Sequence, residues 1–215
     1  MGVIEPKVAV EDADWPTSQR ILREASRLFA ARGYHGTSTR AIATAVHIRQ
    51  PSLFHHFSSK QAIAEALLEL DLMPSLDRAE EARTGSGPVA PRLYRYVYEE
   101  VLRGATSPFD LRGLYFTDLL DEPEFAAWGE RVAELHARVR AVVTEGVEAG
   151  DFVGLAPAFV ARAINALVLE SLRSTAVAPP VAAQLARNTA ELVLRGLLRE
   201  PGAMADLRGA VLDPS

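Results

Sequence analysis

The sequence predicts an all-α protein, with a small N-terminal three-helix domain followed by a larger helical domain. Three observations support this fold class. Apolar residues recur three and four positions apart through most of the chain, and no segment shows the strict alternation of a strand. Clusters of proline and glycine divide the chain into lengths that are typical of helices. Basic residues are concentrated in residues 17–60, which sets this segment apart from the rest.

The charge distribution indicates a basic contact surface on an acidic body. The 215 residues carry a formal net charge of −5. From Trp15 to Lys60, however, there are seven basic residues and one acidic residue, whereas residues 1–14 hold one lysine and four acids. Such asymmetry is typical of proteins that bind a negatively charged partner. A solvated basic helix face is the alternative, and charge alone leaves it open.

Composition excludes several classes of protein. An apolar content of 48% is too high for a disordered chain. No apolar run approaches the ~18 residues of a membrane span, and the acidic N-terminus does not have the pattern of a signal peptide. Because there is no cysteine, disulfides and thiolate metal sites are excluded. We therefore expect a cytoplasmic protein with no membrane partner, metal or cofactor.

The first helix is predicted to begin at Thr17 or Ser18, either of which can cap it. Gly33 would end this helix in a left-handed conformation. Residues 1–16 have no periodicity and are expected to form a flexible tail. The predicted buried face of the helix has the spacing i, i+4, i+7, i+8 and consists of Ile21, Ala25, Leu28 and Phe29.

The next two helices are predicted to form a helix-turn-helix. Thr39 caps a short second helix, and a tight turn follows at His47–Ile48. A third helix runs from Gln50 to Phe57, with Pro51 tolerated in its first turn. Ser58 or Ser59 would cap the helix that follows. The outward residues are of the types that reach base edges and phosphate oxygens. The candidate DNA-binding residues are Thr37, Thr39, Arg40, Arg49, Gln50, Ser52, His55, His56 and Lys60.

Residues 61–215 are predicted to form six further helices, the first of which starts at Lys60. Pro74 should kink or interrupt that helix, because proline removes an amide donor and clashes with the preceding turn. Breakers separate the later helices at Thr84–Pro88, Gly104–Pro108 and Gly150. The fourth predicted helix runs from Lys60 to about Arg83, the fifth carries Leu93 to Val101, and the sixth runs from Phe109 to about Leu120. The seventh runs from Asp121 and Pro123 to Gly150, the eighth begins at Pro157 and the ninth at Pro179.

Aromatic residues on the fifth to seventh of these helices could line an apolar pocket with a few polar groups. The alternative is an ordinary bundle core, which is favoured for any single residue. Asn165 and Glu170 interrupt the apolar eighth helix, where they could face the pocket or a second copy of the chain. The candidate ligand-binding residues are Tyr94, Tyr98, Arg112, Tyr115, Phe116, Asp118, Trp128 and His136.

The N-terminal segment resembles the DNA-binding domain of TetR-family (tetracycline repressor type) transcriptional regulators. The resemblance covers about a fifth of the chain and rests on three ordered motifs: I-L-x-x-A-x-x-L-F-x-x-x-G-Y, T-S-T-x-x-I-A and P-S-L-F-x-H-F-x-S-K. It implies a homodimer that binds a palindromic DNA operator, usually as a repressor. It also implies a small-molecule effector in the C-terminal domain that moves the fourth helix and releases the DNA.

The resemblance also assigns roles by position. Gln50, Ser52 and His55 would face the major groove, and Thr39, His56 and Lys60 would contact phosphates. Two residues depart from the pattern. His47 stands where the family usually has glycine, and Phe54 stands where tyrosine often contacts phosphate. The absent hydroxyl should shift phosphate binding toward Arg49 and the two histidines.

The last two helices resemble the four-helix dimer interface of the family. Small residues there allow helices to approach closely, and an unpaired molecule would expose their stripe. These residues are Ala161, Ala163, Ala166, Ala182, Ala186, Ala190 and Gly196.

Two other readings remain open. One is a DNA-binding dimer whose second domain has no ligand. The other is a small all-helical enzyme, against which stand the absence of cysteine, of a phosphate-binding glycine motif and of spaced metal ligands. His55 and His56 are adjacent on a helix and therefore point apart, which argues against a metal site.

Overall fold

The computed structural model describes residues 15–174 and 177–200, together with Gly202 and Met204. Residues 1–14 of the expected tail lie outside the described residues. The last two residues of that segment are packed. Trp15 lies edge-on against Phe109, with 6.4 Å between ring centroids, and the carbonyl of Pro16 accepts a hydrogen bond from the amide of Arg20 at 3.1 Å.

Three helices form the N-terminal domain: α1 (Thr17–Arg32), α2 (Thr39–Ala45) and α3 (Gln50–His56). Ser38 caps α2 by accepting from the amide of Ala41 at 3.1 Å, so the cap lies one residue before the predicted Thr39. Gly33 ends α1 with φ = 74°, which a residue with a side chain rarely adopts. The predicted positions of the three helices are confirmed, but the predicted cap of α1 is wrong: Pro16 precedes the helix, and neither Thr17 nor Ser18 caps it.

Helix α4 (Lys60–Thr84) is continuous, and Pro74 lies inside it. The predicted interruption is therefore wrong. Leu72 and Leu76, on either side of the proline, are both buried, and α4 packs against α5 and α7. Burial of this apolar face outweighs the one amide donor that proline removes.

The rest of the body consists of helices joined by short connections. It comprises α5 (Val89–Thr106), α6 (Arg112–Tyr115), 3-10 turns at Asp118–Asp121 and Pro123–Phe125, α7 (Ala126–Glu148), α8 (Pro157–Ser171), a 3-10 turn at Leu172–Ser174 and α9 (Pro179–Leu197). An isolated antiparallel bridge joins Phe152 to Leu198. None of the helices in the part of the chain described above is long and apolar enough to span a membrane.

The predicted sixth helix, Phe109 to Leu120, is reduced to one turn by contacts with α1. The amide of Asp110 donates to Ser26 Oγ on α1 at 3.1 Å. Gly113 lies directly against the backbone of Phe29, where a Cβ would come within 2.3 Å of it. Thr117 then caps the following 3-10 turn by accepting from Leu119 at 3.4 Å. These long-range contacts override the local helical pattern.

The small residues of α9 pack inside one chain. Ala182, Ala186 and Ala190 are fully buried, and α9 packs chiefly on α5. Their predicted role in a dimer interface is therefore wrong: small side chains allow α9 to approach α5. Ala161 on α8 is also buried, whereas Ala166 and Gly196 are exposed.

Candidate nucleic-acid interface and effector cavity

Helix α3 presents a polar face to solvent and is anchored by one apolar residue. Leu53 is completely buried beneath it. The exposed residues are Arg49, Pro51, Ser52, Phe54, His55 and His56. Phe54 leaves 45% of its surface exposed and stands among these polar groups. A short, rigidly seated helix with an outward polar face can enter a major groove.

A hydrogen bond connects the starts of α2 and α3. Gln50 Nε2 donates to Thr39 Oγ1 at 3.0 Å, and both residues are partly buried. The amide oxygen and the second N–H of Gln50 remain available for a base edge. The two predicted contact residues thus lie together, with one orienting the other.

Thr37 occupies a different place from the one expected. Its side chain is buried, and its hydroxyl lies 2.9 Å from the carbonyl oxygen of Gly33 and 3.2 Å from that of Leu28. The single hydroxyl proton is used inside the domain. The structure therefore corrects the prediction for Thr37: it holds the loop after α1 and does not lie on the outer surface.

The turn of the helix-turn-helix has an unusual backbone conformation at His47. His47 has φ = 60° and is exposed. The backbone closes around it, with Ile48 donating to the carbonyl of Ala43 at 3.0 Å. Arg20 of α1 supports the turn by donating from Nη2 to the carbonyl of Val46 at 2.9 Å. Sequence reasoning missed this positioning role of Arg20, since nothing local links residues so far apart.

Lys60 lies at the start of α4 and is already engaged. Its ammonium donates to the carbonyl of Tyr34 at 2.8 Å and lies 4.1 Å from the centre of the Tyr34 ring. Burial lowers the pKa of Lys60, while Glu122 and Glu124 act in the opposite direction. Burial, with help from nearby carboxylates, raises the pKa of Tyr34 to about 12. Two of the three ammonium protons of Lys60 remain for a phosphate.

A basic groove runs between α1 and α2. Arg27, Arg32 and Arg40 line it together with Ser38. Arg27 also pairs with Glu24 at 3.0 Å on the surface of α1. The sequence reading selected Arg40 but not the two arginines of α1, because those appear in the chain as ordinary solvated positions of a helix.

The N-terminal domain, hereafter the head, touches the body through the segment after α6. His35 Nε2 lies 2.7 Å from Glu122 Oε1, and the ring of Tyr34 packs edge-on against Phe125 at 5.3 Å between centroids. Gln61, at the start of α4 beside the head, donates from Nε2 to the carbonyl of Glu124 at 3.3 Å. Together with the contact of Gly113 on α1, these interactions fix how the head sits on the body.

The body contains a cavity of about 200 Å³ between α4, α5, α6, α7 and α8. Its wall combines one charged and polar region with many apolar side chains. The polar lining residues are Asp71, Ser75, Glu100, Arg103, Tyr115, Asn165 and Ser171. The other lining residues are Leu72, Gly104, Leu120, Val132, Leu135, Val168, Leu169 and Leu172.

A network of hydrogen bonds joins the charged residues of the cavity wall. Glu100, which is 2% exposed, accepts from Arg78 Nε at 2.5 Å, from Ser75 Oγ at 2.6 Å and from Arg103 Nη2 at 3.2 Å. Asp71 accepts from Arg103 Nη1 at 2.5 Å and from the hydroxyl of Tyr115 at 2.7 Å. Two guanidinium groups thus neutralise two carboxylates.

The tyrosine and arginine of this network hold their protons firmly. Burial raises the pKa of Tyr115 well above its ordinary value, and the carboxylate of Asp71 adds to the effect. Asp71 and Glu100 together raise the pKa of Arg103, against the effect of burial. Tyr115 is therefore a hydrogen-bond donor, and Arg103 a cation, at neutral pH.

Of the eight residues predicted to bind a ligand, Tyr115 lines this cavity. Arg112 and Phe116 instead line an open cleft against the C-terminal end of α1, where the guanidinium of Arg173 lies 4.6 Å from the centre of the Phe116 ring. Arg112 pairs with Asp110 at 2.7 Å, and Asp118 is exposed. The geometry therefore separates residues that the sequence placed in one pocket.

The remaining four lie in the core of the body or on its surface, outside the cavity wall. Tyr94 is completely buried and stacks on Tyr98, with centroids 6.5 Å apart. Trp128 is 8% exposed, and Arg131 lies 4.6 Å from the centre of its ring. His136 interacts with the side chain of Asn165, which lines the cavity, and burial lowers the pKa of this histidine. The sequence selected aromatic residues, whereas the cavity takes its polar groups from charged ones.

Within the described residues, no group of three histidine, aspartate or glutamate side chains is arranged to hold a metal ion. His55 and His56 lie on the exposed face of α3. The polar groups that the structure brings together are thus suited to hydrogen bonding and charge pairing.

Comparison with known proteins identifies the class to which this architecture belongs. Residues 21–67 match the family model described as bacterial regulatory proteins of the tetR family. The segment is similar to the HTH-type transcriptional regulator UidR of Escherichia coli strain K12, with 37% identity over 70 residues. This match covers 33% of the chain and 36% of UidR, so it spans about a third of the length of each.

The fold of the whole chain is also shared with solved structures. AmtR of Mycobacterium smegmatis is 27% identical, with a TM-score of 0.76 over 94% of this chain and 97% of that one. AibR, solved in complex with isovaleryl coenzyme A and operator DNA, is 19% identical, with a TM-score of 0.66 over 82% of this chain and 97% of the AibR chain. This match shows similarity of fold alone. Residues 21–67 therefore form a helix-turn-helix domain of the tetR-family type, and the whole chain shares the fold of AmtR.

Proposed function

We propose that this protein is a homodimeric repressor that binds a palindromic operator and is released from it by a small molecule. The observation that carries the proposal is the polar outer face of α3, seated on the buried Leu53 in a domain that touches the cavity-bearing body. TetR-family regulators are often repressors. A dimer bound at a promoter would exclude the transcription machinery.

The exposed residues divide between base and phosphate contacts. Gln50, Ser52 and His55 read bases in the major groove, because they project from the first turns of α3 and from its outer face. Thr39, Arg40, Arg49, His56 and Lys60 contact phosphates. Arg27 and Arg32 extend the phosphate contacts along the groove between α1 and α2.

An apolar stripe on α8 and α9 supports dimerisation. Phe159, Val181 and Leu192 leave 59%, 55% and 61% of their surfaces exposed, respectively. Ala166 and Gly196 are also exposed on these two helices and allow a second copy to approach closely. Val181 and Leu192 are eleven positions apart, and Phe159 and Ala166 seven, so each pair lies on one face of its helix. Exposed apolar faces of this kind are typical of a protein interface. A twofold symmetric pairing of this stripe would bury it in both subunits.

Two helices connect the cavity to the head. Helix α4 contributes Asp71 and Ser75 to the cavity wall and begins at Lys60 in the head. Helix α6 contributes Tyr115 to the wall and presses Gly113 against α1. A ligand that changes how these helices pack would therefore shift the head and alter the spacing of the two α3 helices in the dimer.

Selection of bound DNA from a random pool tests the operator proposal. The enriched sequences should form a palindrome whose half-sites are about 10 base pairs apart, or a multiple of that. Gln50→Ala or His55→Ala should change the preferred base at individual positions, by about 1–3 kcal/mol for each lost contact. Enrichment of no sequence, or of a single half-site, would contradict the proposal.

A second measurement tests the dimer. Leu192→Arg should give a monomer in sedimentation experiments and weaken operator binding, because a charge would be buried in the interface. Leu70→Arg is the matched control, since Leu70 is 50% exposed but lies on α4. A dimer that tolerates Leu192→Arg as well as Leu70→Arg would exclude this stripe as the interface.

A further inference from the structure

The charges of the cavity wall are balanced before any ligand enters. Asp71 and Glu100 supply two negative charges. Arg103 in the wall supplies one positive charge, and Arg78, which does not line the cavity but pairs with Glu100, supplies the second. Each carboxylate has an arginine nitrogen within 2.5 Å. A charged ligand would lose its hydration and find no unpaired countercharge, which is strongly unfavourable in a buried site. An uncharged ligand avoids this cost.

The same network leaves places for hydrogen bonds. The two oxygens of Asp71 accept one bond each, from Arg103 and Tyr115, although a carboxylate has about four acceptor positions. Arg103 Nε is buried and has no hydrogen-bond partner among the described residues. A hydroxyl group can therefore donate to Asp71, whereas Arg103 Nε, which has no accessible surface, is out of reach of a ligand.

The remainder of the wall is apolar and limits the size of the ligand. Leu72, Leu135, Val168 and Leu169 are among its side chains. A cavity of about 200 Å³, filled at the density of a protein interior, holds roughly ten non-hydrogen atoms. The cavity therefore fits a molecule that is mostly hydrocarbon and carries one polar group.

We propose that this cavity binds an uncharged, hydroxyl-bearing hydrocarbon of roughly ten non-hydrogen atoms, with its hydroxyl donating to Asp71. This inference rests on the proposed function, because it assigns the chemistry of the effector to the same cavity. It excludes fatty acids and alkylamines of the same length, as well as hydrocarbons that cannot donate a hydrogen bond.

Four probes of matched length test the proposal by titration calorimetry on the full-length protein without DNA. They are 1-octanol, octanoate, octylamine and heptyl methyl ether. The alcohol should bind about ten-fold or more tightly than either charged probe, because those must bury an unpaired charge. It should also bind more tightly than the ether, which offers no donor to Asp71. Tighter binding of a charged probe, equal binding of the ether, or no binding of any probe would overturn the proposal.

Changing the charge of the cluster should change the preference in a defined direction. Asp71→Asn leaves the cluster with one excess positive charge, so octanoate should gain at least about ten-fold relative to 1-octanol. Arg103→Gln leaves an excess negative charge, so octylamine should gain instead; this variant serves if the first does not fold. Asp77→Asn is the matched control, because Asp77 is exposed on the same helix and does not line the cavity. An unchanged preference in a folded cavity variant would overturn the assignment.

Release of DNA is measured separately, on the operator obtained by selection. If 1-octanol binds with the expected preference but does not release the operator, the ligand chemistry stands and the effector role in the proposed function fails. If no operator can be selected, the DNA-binding proposal fails, and calorimetry still decides the ligand class.

Discussion

The close contact between α6 and α1 leads to the prediction that Gly113→Ala damages both stability and operator binding. A Cβ on Gly113 would lie 2.3 Å from the backbone C and O atoms of Phe29 and 2.6 Å from the backbone N of Ala30. Ordinary van der Waals contact begins at 3.4 Å. All three atoms belong to the backbone of α1, so no side chain can rotate away. The helices must therefore move apart by about 1 Å, which is the scale at which overpacked cores are strained.

The expected loss of stability follows from this displacement. Overpacking that forces backbone shifts typically costs about 1–3 kcal/mol. For a chain of this size, each kcal/mol lowers the melting temperature by roughly 2–4 °C. Because α1 belongs to the head, the same shift changes the position of α3 relative to the body. Perturbations of this kind alter coupling between sites by about 0.5–2 kcal/mol, so operator affinity should fall measurably.

Urea denaturation followed by circular dichroism measures the first effect, at one fixed protein concentration because the stability of the proposed dimer would depend on concentration. Fluorescence anisotropy with the selected operator measures the second. Gly154→Ala is the matched control, since nothing lies within 4 Å of its added Cβ. If Gly113→Ala is as stable as this control and binds the operator equally well, α6 does not set the position of the head through this contact.

Four further predictions concern single residues. Thr37→Val should lower the free energy of unfolding by about 1 kcal/mol, because a buried hydrogen bond is lost, and should leave the salt dependence of DNA binding unchanged. Thr39→Val should instead mainly weaken DNA binding. The reverse pattern would place Thr37 on the DNA. His47→Gly should raise the free energy of unfolding by up to about 1 kcal/mol, because glycine adopts φ = 60° without strain, while His47→Ala should not; a loss with glycine would show that the imidazole holds the turn. Lys60→Ala should reduce the slope of log affinity against log salt concentration by about 0.9, and an unchanged slope would exclude a phosphate contact. His136 has a pKa below its ordinary value of 6.5, so the unfolded chain binds a proton at this residue more readily than the folded chain does. The free energy of unfolding should therefore fall as the pH decreases below 6.5. Denaturation at several pH values should show a smaller fall for His136→Gln.

The head could be predicted from the sequence because its determinants are local. The spacing of Ile21 and Phe29, the glycine after α1 and the apolar residue Leu53 in α3 are each recognised from a few neighbouring positions. Errors there concern single side chains. Thr37 and Thr39 are alike in the sequence, and only the packing of the loop after α1 turns the first hydroxyl inward, toward the carbonyl of Gly33.

In the segment after α5, tertiary contacts override the helical pattern of the local sequence. Residues 109–120 have the apolar spacing of a helix, yet the amide of Asp110 bonds to Ser26 and Gly113 packs on Phe29. Both partners lie more than eighty positions away in the chain. No sequence window contains them, so the prediction of a long sixth helix failed.

The small residues of the last two helices illustrate a different limit. A stripe of alanines predicts that another helix packs closely against it, but it does not identify whether that helix belongs to the same chain or to a second copy. Ala182, Ala186 and Ala190 face α5 of the same chain. The apolar residues left over for a partner, such as Phe159 and Leu192, are large. Exposure in the folded monomer separates the two roles, and exposure is not visible in the sequence.

The cavity was the hardest feature to predict, because its polar groups come from four helices and resemble surface residues in the chain. Glu100 follows another glutamate, and Arg103 lies one turn later on the same helix, as in many solvated helices. Their role becomes apparent only from burial, because a glutamate that is 2% exposed must be paired with a positive charge. The pairing of Glu100 with Arg78 and Arg103 fixes how α4 and α5 pack. Asp71 of α4 is bonded to Arg103 of α5 and to Tyr115 of α6, and α4 and α6 also contact α1. A ligand that competed for one hydrogen bond at Asp71 would therefore act on all three helices and, through α4 and α6, on the head.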